Sequence, residues 1–188
     1  MDQKLNICLV KTSLPSYFPE KHNVWEKSIN GLIKICKELN VNLNIIQEIP
    51  MNANDTKKTI SKCKELNTDF ILVLHGGFTM GDVALTFAES NFKLGFWSVP
   101  EPTLTGDVQL NNFVSLNMSM SIAKKVRNTS KNPVSWYYGF AENKEFKQKI
   151  TLTLQTLQSL KTLSQSRIGL IGGLAMTFYN MEVSTTKL

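Results

Sequence analysis

Residues 70–82 read Phe-Ile-Leu-Val-Leu-His-Gly-Gly-Phe-Thr-Met-Gly-Asp, from Phe70 to Asp82. The first five are apolar without interruption. A strand covered on both faces reads this way, and such strands belong to parallel sheets flanked by helices. His75-Gly76-Gly77 then ends the run, and a helical pattern follows from Val83 to about Ser90. A buried strand, a glycine turn and a helix make one βα unit.

The same alternation extends in both directions. Upstream, residues 4–11 predict a strand centred on Ile7-Cys8-Leu9-Val10, followed by the loop Thr12-Ser13-Leu14-Pro15-Ser16. Residues 23–39 predict a helix, with Trp25, Ile29, Leu32 or Ile33, and Cys36 at three- and four-residue spacing. Residues 41–48 alternate Val41, Leu43 and Ile45 with Asn42 and Asn44, as in an outer strand with one wet face. A helix capped by Asn54-Asp55-Thr56 runs to about Asn67. Downstream, Lys93 to Trp97 predicts a strand, residues 112–127 a helix with Phe113, Leu116, Met120 and Ala123 inward, and Val134 to Tyr138 a strand closed by Gly139. A last long helix covers about residues 142–164, with Phe146, Ile150, Leu154 and Leu157 as its stripe. Five such units predict an α/β, doubly wound, flavodoxin-like parallel sheet of order 2-1-3-4-5 in three α/β/α layers. Arg167-Ile168-Gly169-Leu170-Ile171-Gly172-Gly173 then opens a second α/β unit, so the expected division is 1–165 and 166–188.

Composition excludes several classes. The chain has 188 residues and a net charge of +6, yet only Arg127 and Arg167 are arginines. Lysines spread over helix faces suit solvent contact. They lack the arginine forks and aromatic platforms of a nucleic-acid reader. No apolar run is long enough to span a membrane. The N-terminus lacks the basic start, long apolar middle and cleavage site of a secretory signal, so a cytoplasmic location is expected. Cys8, Cys36 and Cys63 form no Cys-x-x-Cys pair and are expected as buried thiols. His22 and His75 lie in different loops without a ligand cluster around them. No Gly-x-Ser-x-Gly elbow or Walker loop occurs, and Gly169-x-x-Gly172-Gly173 departs from the dinucleotide fingerprint.

In a sheet of this kind, ligands meet the loops beyond the carboxyl ends of the strands. His75 and Gly76 are candidates there: the glycines admit a close ligand, or the histidine caps a tight turn. Trp97 offers a flat apolar wall and Glu101 a carboxylate acceptor for hydroxyls, or they are a core indole and a solvated acid. Asn112 offers an amide to a polyol, or is a helix cap.

Three stretches resemble L-fucose/L-arabinose isomerase-like proteins: Leu74 to Asp82, Phe96 to Pro102, and Val108 to Phe113. Arg167 to Gly173 resembles the strand opening that family's second α/β domain. The resemblance covers nearly all of this chain and the N-terminal domain of the family. It implies a cytoplasmic, homo-oligomeric aldose–ketose isomerase of carbohydrate metabolism. Such an enzyme works on a sugar with a divalent metal such as manganese, bound in later domains, so this chain itself carries no cofactor and no catalytic residue. His75, Gly76, Trp97, Glu101 and Asn112 would wall the sugar site of a neighbouring subunit. The expected function is a substrate-facing domain without activity by itself; the alternative is a stand-alone flavodoxin-like binding module.

Overall fold

The computed structural model describes residues 4–127 and 133–167. In chain order the elements are β1 (Asn6–Thr12), α1 (Val24–Glu38), β2 (Asn42–Ile46), α2 (Ala53–Glu65), β3 (Phe70–His75), α3 (Gly81–Glu89), β4 (Lys93–Ser98), α4 (Asn112–Val126), β5 (Val134–Tyr138) and α5 (Lys144–Gln165). A short 3-10 turn, Pro19–His22, precedes α1. All five strands are parallel, in the order β2-β1-β3-β4-β5. This is the expected flavodoxin-like sheet.

Every residue of β3 is buried, as its unbroken apolar run requires. Alternate side chains divide between two layers. Ile7, Leu9, Phe70, Leu72, Leu74, Trp97 and Tyr137 pack with α1 and α5. Cys8, Val10, Ile71, Val73, Leu94 and Phe96 pack with α2, α3 and α4. The three thiols are buried and unpaired, and burial pushes the Cys36 thiol up to about 12. The helix ends show local chemistry. Asn52 caps α2 by accepting from the Asp55 amide at 3.0 Å, two residues before the expected cluster. Asn40 and Asn67 take left-handed backbone just beyond α1 and α2, a conformation asparagine tolerates.

One helix face differs from expectation. Phe113 of α4 is 57% exposed, and Met120 is only partly buried. The buried face carries Asn112, Ser115, Leu116, Ser119 and Ala123. α4 turns a polar stripe inward because β3 ends beneath it in a histidine that needs partners. Arg127, at the end of α4, is buried rather than solvated. It donates to the carbonyls of Phe87, Ala88, Ser90 and Phe92 at 2.7–3.2 Å and so ties α4 to the end of α3. The second unit expected over residues 166–188 lies, beyond Arg167, outside the described residues. No helix among the described residues is long and apolar enough to cross a membrane.

Candidate functional site

Parallel strands deliver their following loops to one edge of the sheet. Thr12, His75 and Ser98 lie side by side on the last rung of β1, β3 and β4, and Ser98 pairs with Tyr138 of β5. The loops are then tied across the strands. The Gly76 amide donates to Thr12 O at 2.9 Å, Leu14 N to Phe78 O at 2.8 Å, and Gly139 N to Ser98 O at 3.0 Å. Order 2-1-3 reverses direction between β1 and β3, and folds of this kind bind ligands at that switch point.

His75 is fully buried at this switch point. Its Nδ1 lies 2.8 Å from Thr12 Oγ1 and 3.2 Å from Thr79 Oγ1, and its Nε2 lies 3.1 Å from Ser119 Oγ. The ring stacks on Phe96, 5.6 Å between centroids. Thr12 gives its hydroxyl proton to Leu74 O, and Thr79 gives its own to Thr12 Oγ1. Both hydroxyls are therefore acceptors toward the ring. This pattern assigns the proton to Nδ1 and makes Nε2 the acceptor from Ser119. Burial lowers the pKa of the imidazole to about 3, so it is neutral at physiological pH. Ser115 extends the network by accepting from Thr79 N at 2.7 Å. His75 thus locks the β1 loop, the β3 loop and α4 together, without an exposed atom to offer a ligand.

The two glycines that follow make room for protein. A Cβ on Gly76 would lie 2.0 Å from Trp25 Cη2, and one on Gly77 would lie 2.5 Å from Ser13 Oγ and Tyr17 Cβ. Trp25 is itself held by a 2.7 Å bond from Nε1 to Glu20. The close approach at Gly76 is therefore by an indole of α1.

Trp97 is also fully buried. It donates from Nε1 to Gly139 O at 2.8 Å and packs on Phe146, 4.6 Å between centroids. It faces the α1/α5 layer, whereas His75 on the neighbouring strand faces α4. The two side chains therefore enter opposite layers and do not share a crevice. Glu101 and Asn112, by contrast, are brought together. Glu101 accepts from Leu110 N at 2.9 Å and from Asn112 N at 3.3 Å, closing the neck of the exposed loop 102–109. Asn112 is buried and donates to Val99 O at 3.3 Å, while its Oδ1 has no partner among the described residues. Ser98 Oγ donates to Asn112 O at 2.7 Å. Burial, and then the Glu101 charge, raise the Tyr138 phenol above its ordinary value.

The accessible rim has a different cast from the buried floor. Tyr17 and Phe78, from the loops after β1 and β3, are half-buried and face each other at 6.3 Å. Glu101 is the partly exposed carboxylate after β4. Its oxygens each retain a lone pair beyond the backbone amides they accept. Sequence reasoning missed Tyr17 and Phe78, along with the hydroxyls of Thr12, Thr79, Ser115 and Ser119. The four-residue spacing of Ser115 and Ser119, with Asn112 three residues before, was the signal for the polar stripe. Chemically, the loops after β1 and β3 offer an aromatic surface and the loop after β4 a hydroxyl acceptor. The buried floor holds a neutral histidine, so the arrangement favours binding over proton transfer.

The chain is 24% identical over 115 aligned residues to sulfoquinovose isomerase of Priestia aryabhattai, and equally so to that of Priestia megaterium. The alignment takes in 56% of this chain but only 25% of either relative. No family model matches the chain. The chain is thus distantly similar to a sugar isomerase and spans about a quarter of its length.

Proposed function

We propose that this chain is the sugar-facing α/β domain of an aldose–ketose isomerase and is not itself the catalyst. The similarity to sulfoquinovose isomerase carries the reading, and the rim chemistry supports it. An aromatic pair suits the C–H face of a sugar, and a carboxylate suits its hydroxyls. In this reading Glu101 meets the sugar. His75, Gly76, Trp97 and Asn112 hold the loops that bring it there, within a homo-oligomer in which a neighbouring copy completes the pocket.

The divalent metal that such chemistry uses does not fit the residues in hand. Among the described residues no three His, Cys, Asp or Glu side chains come together. No reaction step through a metal is therefore assigned to this chain. The test is turnover and binding on the same sample. The intact chain, given manganese and either sulfoquinovose or a neutral aldohexose, is expected to form no ketose. It is expected to bind sugar weakly, and Glu101→Gln is expected to weaken that binding about tenfold. Ketose formation would overturn the non-catalytic reading, and unchanged binding in the variant would remove Glu101 from the contact.

A further inference from the structure

Among the described residues β5 is the outer strand of the sheet, with β4 as its neighbour on one side. Both faces of this edge are hollow. On the α4 side, a groove of about 580 Å³ is lined by Phe113, Leu116, Met120, Lys124, Val134 and Trp136, among others. On the α5 side, a groove of about 300 Å³ is lined by Phe70, Lys93, Leu152, Leu157 and Leu160, among others. Trp136 is 48% exposed, Phe113 57% and Leu152 66%. A strand laid along β5 would satisfy its outward backbone groups and drop alternate side chains into the two grooves.

Two occupants are disfavoured on physical grounds. The first is a later strand of the same chain. The crossover through α1 steps from β1 toward β2, whereas those through α2, α3 and α4, on the opposite face, step toward β5. These share one hand, the right-handed rule for such units. α5 lies on the α1 face, so a strand following it with the same hand would add on the β2 side. The second is another copy paired β5 to β5. Lys149 Nζ sits 3.2 Å over the Trp136 ring at the edge, Lys124 lines one groove and Lys93 the other. Among the described residues neither groove is lined by a carboxylate. A two-fold interface would set these cations against their own images.

We infer that the β5 edge receives an extended segment of an acidic partner protein, added as a sixth strand, with apolar side chains in the grooves and carboxylates against Lys149, Lys124 and Lys93. Lys149 screens the edge from purely apolar strands and selects for negative charge. The probe is a short peptide of valine-valine-glutamate repeats, with valine-valine-lysine repeats as control, and the readout is amide exchange on the intact chain. The glutamate peptide is expected to slow exchange in residues 134–138 about tenfold or more and leave β1 and β3 unchanged, with no effect from the lysine peptide. Lys149→Glu, at an exposed position, is expected to reverse the preference, and Lys124→Glu to weaken it in the same direction. Three results would overturn the inference: no protection by the glutamate peptide, equal protection by both, or protection that grows with protein concentration alone. The last would identify a second copy as the occupant.

Discussion

Replacing His75 with alanine should destabilise the fold by an amount that depends on pH in one direction. The ring is fully buried, stacked on Phe96 and bonded to Thr12, Thr79 and Ser119. Removing a buried ring of this size leaves a cavity worth about 2–4 kcal/mol. Thr12 keeps Leu74 O and Thr79 keeps Thr12 Oγ1 as acceptors, so the unsatisfied hydroxyl is that of Ser119. That adds about 1 kcal/mol, for a total of about 3–5 kcal/mol at neutral pH. The imidazole has its pKa lowered from 6.5 in the unfolded chain to about 3 in the fold. Its contribution is therefore whole above pH 6.5, where neither state takes the proton. It declines as pH falls from 6.5 toward 3, because the unfolded chain takes the proton and the folded one does not. The slope approaches about 1.4 kcal/mol per pH unit, so the cost of His75→Ala should be about 2 kcal/mol smaller near pH 5 than near pH 7.5. Urea unfolding followed by circular dichroism, for both proteins at both pH values, gives this difference and cancels the carboxylates common to them. A cost that is the same at both pH values would mean that His75 titrates normally. The locked, neutral histidine beneath the switch-point loops would then be wrong.

Gly76→Ala should cost about 1–3 kcal/mol and shift Trp25 emission to the red, because the new methyl would occupy the place of the indole; calorimetry and fluorescence read both. Arg127→Lys should cost about 2–3 kcal/mol in denaturant unfolding, since one ammonium cannot reach the four carbonyls that the guanidinium spans. Glu101→Gln should cost only about 1–2 kcal/mol yet open the neck of the loop, so limited proteolysis should cut residues 102–109 sooner than in the parent chain.

The sheet was legible because its signals are local and periodic. The apolar run at Phe70 to Leu74, the Asn-for-apolar alternation of residues 41–46 and the glycine after Tyr138 each specify an element on their own. Strand order then follows from crossover handedness and chain order. The candidate site was legible only in part. Its edge of the sheet follows from topology, but which side chains reach the solvent depends on tertiary partners. His75 and Trp97 sit one rung apart, and the strand pleat sends them to opposite layers. Phe113 looks like a core residue by spacing, yet it stands exposed beside Tyr138, because α4 must turn Ser115 and Ser119 to the buried histidine. The Gly76-Gly77 pair signals close approach correctly, but only the structure identifies what approaches.

Whether the loops beyond β1, β3 and β4 face a sugar decides the proposed function. Nitrogen-15 NMR of the intact chain, titrated with sulfoquinovose and separately with a neutral aldohexose, asks this directly. Shifts concentrated in residues 13–17, 76–80 and 99–111, and reduced in Glu101→Gln, are the expected result. Unchanged spectra with both sugars at high concentration, or shifts confined to the opposite edge of the sheet around Asn6, Asn67 and Asp69, would contradict it.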